Sequence, residues 1–231
     1  MWDEFSFQDF HFNSLLIDLP GHGESINDDN GEEPSIEFFS KKIHELLSSL
    51  NIFEFSIVGH SMGGYVALNY KDLYPSEVSK IVLLNSNFWT DSIQKKKDRL
   101  RVAEIVRTNK MYFLREAIPN LFLDKEKYEK SANKLLNEAS KMDAYDIAYS
   151  SLAMRRRNDY SQLVNELGSN LMIIQGEMDG VIPEKKMREM IKGVSLEFQV
   201  VKQTGHMTPI EVKDDVISLL NNYIYTDLNI D

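Results

Sequence analysis

Short apolar runs alternate with amphipathic segments along most of the chain. Segments whose apolar residues recur every three or four positions, such as residues 36–50 behind a capping Ser35, predict helices that cover a sheet. Short continuous apolar runs predict buried strands. The predicted strands are residues 13–19, 55–58, 80–84, 170–175 and 196–201. Strands that alternate with helices in this way predict an α/β fold with a mostly parallel sheet flanked by helices.

The pattern changes between residues 87 and 163, where no strand-like run occurs and the apolar residues keep helical spacing. The helices predicted in this part are residues 93–109, 111–118, 126–142 and 143–156. We therefore predict a helical insertion, a cap or lid, at residues 87–163. Residues 1–86 and 164–231 would form the α/β core that the insertion interrupts.

Composition and charge exclude several classes of function. The 231 residues are 42% hydrophobic and 27% charged, as in a globular protein, and no apolar run approaches the roughly 18 residues of a membrane span. A net charge of −10 argues against nucleic acid as a partner. The absence of cysteine excludes disulfides and thiolate catalysis, and the five scattered histidines offer no metal-ligand spacing, so no metal is expected. The acidic, aromatic N-terminus is unlike a secretory signal, and we expect a cytoplasmic protein.

The stretch of residues 55–68 carries the clearest candidate chemistry. It reads FSIVGHSMGGYVAL, which predicts a strand, an abrupt turn at Ser61 and the start of a helix. We expect Gly59 and Gly63 to keep the turn free of side chains, so that the Ser61 hydroxyl projects away from the sheet. The helix that follows directs backbone N–H groups and the positive end of its dipole at the same point, where an oxyanion could be stabilised.

Two further loops carry titratable groups directly after predicted strands. Asp179 lies four residues beyond the strand that ends at Gln175, and His206 lies five residues beyond the strand that ends at Val201. Because the carboxyl ends of parallel strands share one edge of a sheet, we expect Ser61, Asp179 and His206 to meet there. A serine hydroxyl becomes an effective nucleophile when an imidazole takes its proton and a carboxylate orients that imidazole. The predicted catalytic residues are therefore Ser61, His206 and Asp179.

Together these motifs resemble those of the α/β-hydrolase fold family. The matching stretches are DLPGHGES at residues 18–25, GHSMGG at residues 59–64, GEMDGVIP at residues 176–183 and the pair Gly205-His206. The order nucleophile, acid, histidine along the chain is the one expected of this family. The resemblance implies a serine hydrolase with a helical cap inserted after the strand that follows the elbow helix. It also implies that the backbone N–H of Met62 stabilises the oxyanion, and we expect no cofactor.

The GHSMGG version of the elbow resembles those of small esterases and monoacylglycerol-lipase-like enzymes. This resemblance implies a small-molecule ester substrate that is cleaved through an acyl-enzyme on Ser61. Related elbows occur in C–C bond hydrolases, thioesterases and peptidases, so cleavage of a C–C or thioester bond by the same residues stays open. A catalytically weak, ligand-binding member of the fold is a further alternative. Serine rather than aspartate at position 61 departs from the haloalkane dehalogenase and epoxide hydrolase branches.

The N-terminal part departs from the family pattern. The family usually has two or three strands and a His-Gly loop before the segment that resembles residues 2–25, and these are absent here. That loop normally supplies a second oxyanion N–H, and its strand lies between those we assign to residues 14–19 and 56–58. We therefore expect Met1 to be an internal methionine of a longer protein, and the chain as it stands to be poorly folded or weakly active.

Overall fold

The computed structural model describes residues 1–225, with the exception of the side chain of Phe7. Residues 226–231, which the sequence assigned to the core, lie outside the described residues. The strands within residues 1–225 are β1 (Phe55–His60), β2 (Val78–Leu84), β3 (Leu171–Gly176) and β4 (Glu197–Val201). They form one parallel sheet in the order β1-β2-β3-β4, which confirms the predicted fold class.

Helices precede, separate and follow the strands. Their bounds are α1 (Ile36–Ser49), α2 (Met62–Leu73), α3 (Ile93–Ala117), α4 (Glu129–Lys141), α5 (Ala144–Arg156), α6 (Ser161–Leu167), α7 (Glu184–Met190), α8 (Thr208–Glu211) and α9 (Lys213–Tyr225). Ser35 caps α1 as predicted, because its hydroxyl accepts the N–H of Phe38 at 3.1 Å. Across residues 1–225, we find no helix that has both the length and the apolar character to cross a bilayer.

Alternate residues of the central strands face opposite sides of the sheet, and helices cover both sides. On one face, Ile81 and Leu83 of β2 pack with Ile173 of β3 against α1, α2, α6 and α7. On the other face, Val82 and Leu84 of β2 pack against α9. Full burial of an apolar side chain contributes about 1.5–3 kcal/mol. The two apolar layers therefore hold β2 and β3 at the centre of the fold.

The chain between β2 and β3 is helical, as the sequence predicts. The break expected between two helices near residue 110 is a kink inside α3, where Asn109 has φ −150° and ψ 74°. The side-chain oxygen of Asn109 accepts the N–H of Tyr112 at 3.1 Å, and this bond caps the second part of the helix. We call residues 87–163 the helical insertion. Its bounds, and those of the core at residues 1–86 and 164–231, stay predictions.

A buried ion pair within the helical insertion packs against α2. The Arg157 guanidinium lies 2.8 Å from a carboxylate oxygen of Asp91, and it stands over the ring of Tyr65 at 4.2 Å from the centroid. Burial raises the pKa of Asp91, but hydrogen bonds and positive charge from Arg157 and Arg99 outweigh it and hold this pKa below its usual value. Arg157 therefore fixes the end of α5 against the core.

The strand predicted at residues 13–19 is wrong. These residues form no β-ladder, and Leu15 and Leu16 are 50% and 43% exposed. An apolar run becomes a strand only when a neighbouring strand satisfies its backbone groups, and β1 pairs with β2 alone among the described strands. Residues 13–19 therefore have the composition of a strand, but they have no neighbouring strand among the described residues with which to pair.

Aromatic side chains of the N-terminal residues cover the sheet face that also carries α9. The rings of Trp2 and Phe5 lie 5.5 Å apart, those of Phe5 and Phe10 lie 5.8 Å apart, and those of Phe10 and Phe12 lie 5.1 Å apart. Trp89, at the start of the helical insertion, packs in the apolar cluster of the opposite face. The two tryptophans of the chain thus lie in different clusters.

Candidate active site

Ser61 occupies a sharp turn between β1 and α2. Its backbone has φ 50° and ψ −115°, a left-handed conformation that is costly for a residue with a side chain. Three hydrogen bonds hold the turn: the N–H of Ser61 donates to Leu84 at 3.0 Å, and its carbonyl oxygen accepts the Gly64 N–H at 3.0 Å and the Ser86 hydroxyl at 2.7 Å. The end of β2 therefore imposes the strained conformation of Ser61.

The glycines of the elbow differ in what they allow. A Cβ at Gly59 would lie 2.4 Å from the carbonyl carbon and oxygen of Gly63, so this position requires glycine as predicted. The prediction for Gly63 is wrong, since a Cβ there would meet nothing within 4 Å. The second close approach is at Gly64, where a Cβ would lie 2.3 Å from the Ser86 hydroxyl oxygen. The elbow thus packs against the end of β2 through Gly64.

The loops after β3 and β4 bring Asp179 and His206 to Ser61. His206 Nε2 lies 3.0 Å from Ser61 Oγ, and His206 Nδ1 lies 2.8 Å from Asp179 Oδ2. Asp179 and His206 are 4% and 3% exposed. Because a carboxylate can only accept, His206 Nδ1 carries the proton, and Nε2 is left to accept the Ser61 hydroxyl. The residues selected from the sequence therefore meet in one hydrogen-bonded series.

Asp179 is held by donors from several directions. One carboxylate oxygen accepts the N–H groups of Val181 and Ile182 at 2.8 and 3.0 Å. The other accepts from His206, from Asn85 at 2.9 Å and from Gln175 at 3.2 Å. Burial raises the pKa of Asp179, but the bonds from His206, Asn85 and Ile182 outweigh it, so the pKa lies below its usual value. The carboxylate is therefore ionised and fixed in orientation.

Asn85 is a site residue that the sequence analysis missed. It is fully buried, it has a left-handed φ of 46°, and its amide donates both to Asp179 and to the carbonyl oxygen of Gly205 at 3.1 Å. Its side-chain oxygen accepts the hydroxyl of Thr208. Asn85 thus joins the end of β2 to the loops of Asp179 and His206. The only signal in the sequence is its place directly after a predicted strand.

The backbone of Met62 is the first donor of α2. As the first residue of the helix, Met62 has no carbonyl group one turn earlier to accept its N–H. Within residues 1–225 we find no other acceptor for this N–H, which lies next to Ser61 in the chain. The positive end of the helix dipole adds to the attraction for an anion at this point.

Comparison with known proteins places this geometry in a family. The family model described as the alpha/beta hydrolase fold matches residues 2–212. Among curated proteins, the dihydrolipoyllysine-residue acetyltransferase component of the acetoin cleaving system of Pseudomonas putida is 27% identical over 208 residues. That match covers 87% of this chain and 53% of the relative, so the chain spans about half of the relative's length.

Solved structures give the same architecture. A thermophilic esterase from Thermogutta terrifontis superposes with a TM-score of 0.81 and 25% identity, over 90% of this chain and 78% of the esterase. MenH from S. aureus superposes with a TM-score of 0.81 over 99% of this chain and 89% of its own. At 19% identity, the second likeness is one of fold alone.

Proposed function

Since the chain belongs to the α/β-hydrolase fold family, we propose that it is a serine hydrolase that cleaves a small carboxylic ester through an acyl-enzyme on Ser61. The observation that carries this proposal is the continuous series of hydrogen bonds from Ser61 Oγ through His206 to Asp179, at 3.0 and 2.8 Å. A serine, a neutral imidazole and an ionised carboxylate at these distances are what nucleophilic acyl transfer requires.

In the first step, Ser61 Oγ attacks the carbonyl carbon of the ester, and its proton passes to His206 Nε2. Asp179 stabilises the imidazolium that forms and keeps the ring in its orientation. The N–H of Met62 donates a hydrogen bond to the oxyanion. Loss of one such donor lowers turnover by about 10²- to 10³-fold. The imidazolium then protonates the alcohol as it leaves, and Ser61 carries the acyl group.

In the second step, His206 Nε2 takes a proton from water, and the water oxygen attacks the acyl carbon. The tetrahedral intermediate collapses, the carboxylic acid leaves, and the proton returns to Ser61 Oγ. The sum of both steps is ester plus water to acid plus alcohol. Water is the only co-substrate that the reaction consumes beside the ester.

Likeness to the esterase from Thermogutta terrifontis supports an ester as the substrate class. Thioesters and activated C–C bonds would be cleaved by the same three residues, so the substrate must be identified with a panel. We expect p-nitrophenyl esters of short acids to be hydrolysed faster than acyl-CoAs or vinylogous diketones. A preference for either of the latter would replace the ester assignment with thioester or C–C bond hydrolysis.

The nucleophile is tested with a fluorophosphonate probe, which forms a covalent bond with activated serines. We expect labelling of the wild type at Ser61, located by peptide mass spectrometry, and none in Ser61→Ala. Ser49→Ala, a change at an exposed serine near the end of α1, is the matched control and should label like the wild type. Absence of labelling in a folded wild type, beside a reactive control hydrolase, would refute the proposal.

A further inference from the structure

The loop that carries His206 lies outside the sheet. β4 ends at Val201, and residues 202–207 form no regular structure before α8 begins at Thr208. The ladder of the sheet therefore does not set the position of the imidazole. A general base that moves by about 1 Å can lose about 10²-fold in rate, so other contacts must fix this loop.

The core holds one side of the loop. His60 Nε2 donates to the carbonyl oxygen of His206 at 2.8 Å, and the Asn85 amide donates to the carbonyl oxygen of Gly205 at 3.1 Å. Both donors stand at the ends of strands, His60 at the last residue of β1 and Asn85 directly after β2. These bonds fix the carbonyl groups of the loop and leave its N–H groups to other partners.

The N–H groups of Gly205, His206 and Met207 donate to the helical insertion or to Glu211 of α8. The N–H of His206 donates to the carbonyl oxygen of Leu121 at 2.9 Å. The N–H groups on either side, of Gly205 and Met207, donate to the carboxylate of Glu211 at 3.2 and 3.1 Å. The same carboxylate accepts the N–H of Leu123 at 3.2 Å. Glu211 thus binds both neighbours of His206 and one residue of the insertion.

The contact between the loop and the insertion is close. A Cβ at Gly205 would lie 2.7 Å from the Leu123 nitrogen and 3.1 Å from the Leu121 carbonyl oxygen. The Tyr128 hydroxyl, also in the insertion, donates to the backbone carbonyl oxygen of Glu211 at 3.0 Å. Side chain and backbone of Glu211 are therefore both attached to the helical insertion.

From this arrangement we infer that Glu211 is a positioning residue for His206. Residues 121–123 of the helical insertion set the place of the imidazole through Glu211 and through the direct bond from the His206 N–H to Leu121. The inference rests on the proposed function, in which His206 is the base. Glu211 acts on the backbone around His206 and takes no part in proton transfer. Its consequence is that a displacement of the insertion moves the base relative to Ser61.

A carboxylate suits this place better than an amide does. Three backbone N–H groups converge on Glu211, and a carboxylate has two oxygens that only accept. Bonds from N–H to a charged acceptor are also about twice as strong as neutral ones. Glutamine would turn an NH₂ group towards one of the donors. Glu211→Gln therefore keeps the size of the side chain and breaks some of the hydrogen bonds from these three N–H groups.

The test compares Glu211→Gln with Glu138→Gln, a change at an exposed glutamate of α4. The first readout is the proton NMR resonance of His206 Nδ1–H, assigned by its loss in Asp179→Asn. The second is the rate of fluorophosphonate labelling, with kcat and KM for an ester. We expect Glu211→Gln to weaken or shift the resonance and to lower the labelling rate and kcat about 10- to 100-fold with little change in KM. Glu138→Gln should match the wild type.

An unchanged resonance and labelling rate in folded Glu211→Gln would overturn the inference. If Glu211→Gln does not fold, Tyr128→Phe replaces it, because this change removes the hydroxyl bond to the backbone of Glu211. An unchanged resonance in Tyr128→Phe would overturn the inference equally. If the wild type is not labelled but the resonance still responds to Glu211→Gln, the proposed function fails while the positioning role stands. Labelling of the wild type thus tests the proposed function, and the resonance tests the positioning role of Glu211.

Discussion

His60 Nε2 donates to the carbonyl oxygen of His206 at 2.8 Å, and the two imidazole rings lie 5.1 Å apart. Since a carbonyl oxygen only accepts, this bond requires a proton on His60 Nε2. Burial, followed by the nearby His206, lowers the pKa of His60 to about 3. His60 is thus a neutral donor that supports the loop of His206.

The lowered pKa of His60 predicts a loss of stability in acid. An unfolded histidine has a pKa of about 6.5. Between about pH 6.5 and 3, this histidine is therefore protonated in the unfolded chain but not in the folded protein. The free energy of unfolding consequently falls as the pH falls. His60→Gln keeps an N–H donor without a titrating group. We expect the wild type to lose about 2 kcal/mol more than this variant between pH 7 and pH 5 in urea titrations. Equal losses in both proteins would contradict the pKa assignment.

Asn85→Asp should disturb the acid of the site. The Asn85 amide nitrogen lies 2.9 Å from Asp179 Oδ2, so a second carboxyl group would be forced to share a proton with Asp179. The pair would ionise at a higher pH than Asp179 does alone. We therefore expect the acid limb of the profile of kcat/KM against pH to move up by about one unit or more. Asn137→Asp, at an exposed position of α4, should leave the profile in place.

The elbow glycines should respond unequally to alanine. Gly59→Ala puts a Cβ 2.4 Å from the backbone of Gly63, and we expect a loss of about 3 kcal/mol in the free energy of unfolding. Gly63→Ala adds a methyl group that meets nothing within 4 Å, and its effect should stay within about 1 kcal/mol. Urea denaturation of both variants measures the difference. Similar losses would contradict the geometry of the turn.

Loss of the buried ion pair should destabilise the fold more than it alters chemistry at Ser61. Asp91→Asn leaves the Arg157 guanidinium buried without its counter-charge, a situation that costs about 3–5 kcal/mol. Asp98→Asn, at an exposed position of the same helical insertion, provides the control and should cost little. The free energies of unfolding of both variants, measured at pH 7, give the two costs. A cost for Asp91→Asn no larger than for the control would refute a stabilising role of the pair.

The sequence predicted the parallel sheet and the meeting of Ser61, Asp179 and His206 because both follow from local patterns and one rule of topology. The rule is that the carboxyl ends of parallel strands share an edge. The strand at residues 13–19 failed because pairing depends on a neighbour elsewhere in the chain, which composition does not encode. Apolar content alone therefore overestimates strands.

Asn85 and Glu211 were missed for a related reason. Each is a polar residue near the end of an element, and such residues are mostly solvated or cap a turn. Their backbone partners distinguish them. Asn85 binds the backbone of a loop more than a hundred residues away in the chain. Glu211 binds backbone groups of two loops at once. Tertiary partners, rather than local spacing, assign their role.

The two tryptophans give the chain a pair of separate optical reporters. Trp2 belongs to the aromatic series on the face of α9, and Trp89 stands at the entry of the helical insertion against the opposite face. Replacing either one by phenylalanine leaves an emission that reports on a single region. Loosening of the insertion could then be followed in time through Trp89, independently of the N-terminal residues, by stopped-flow fluorescence.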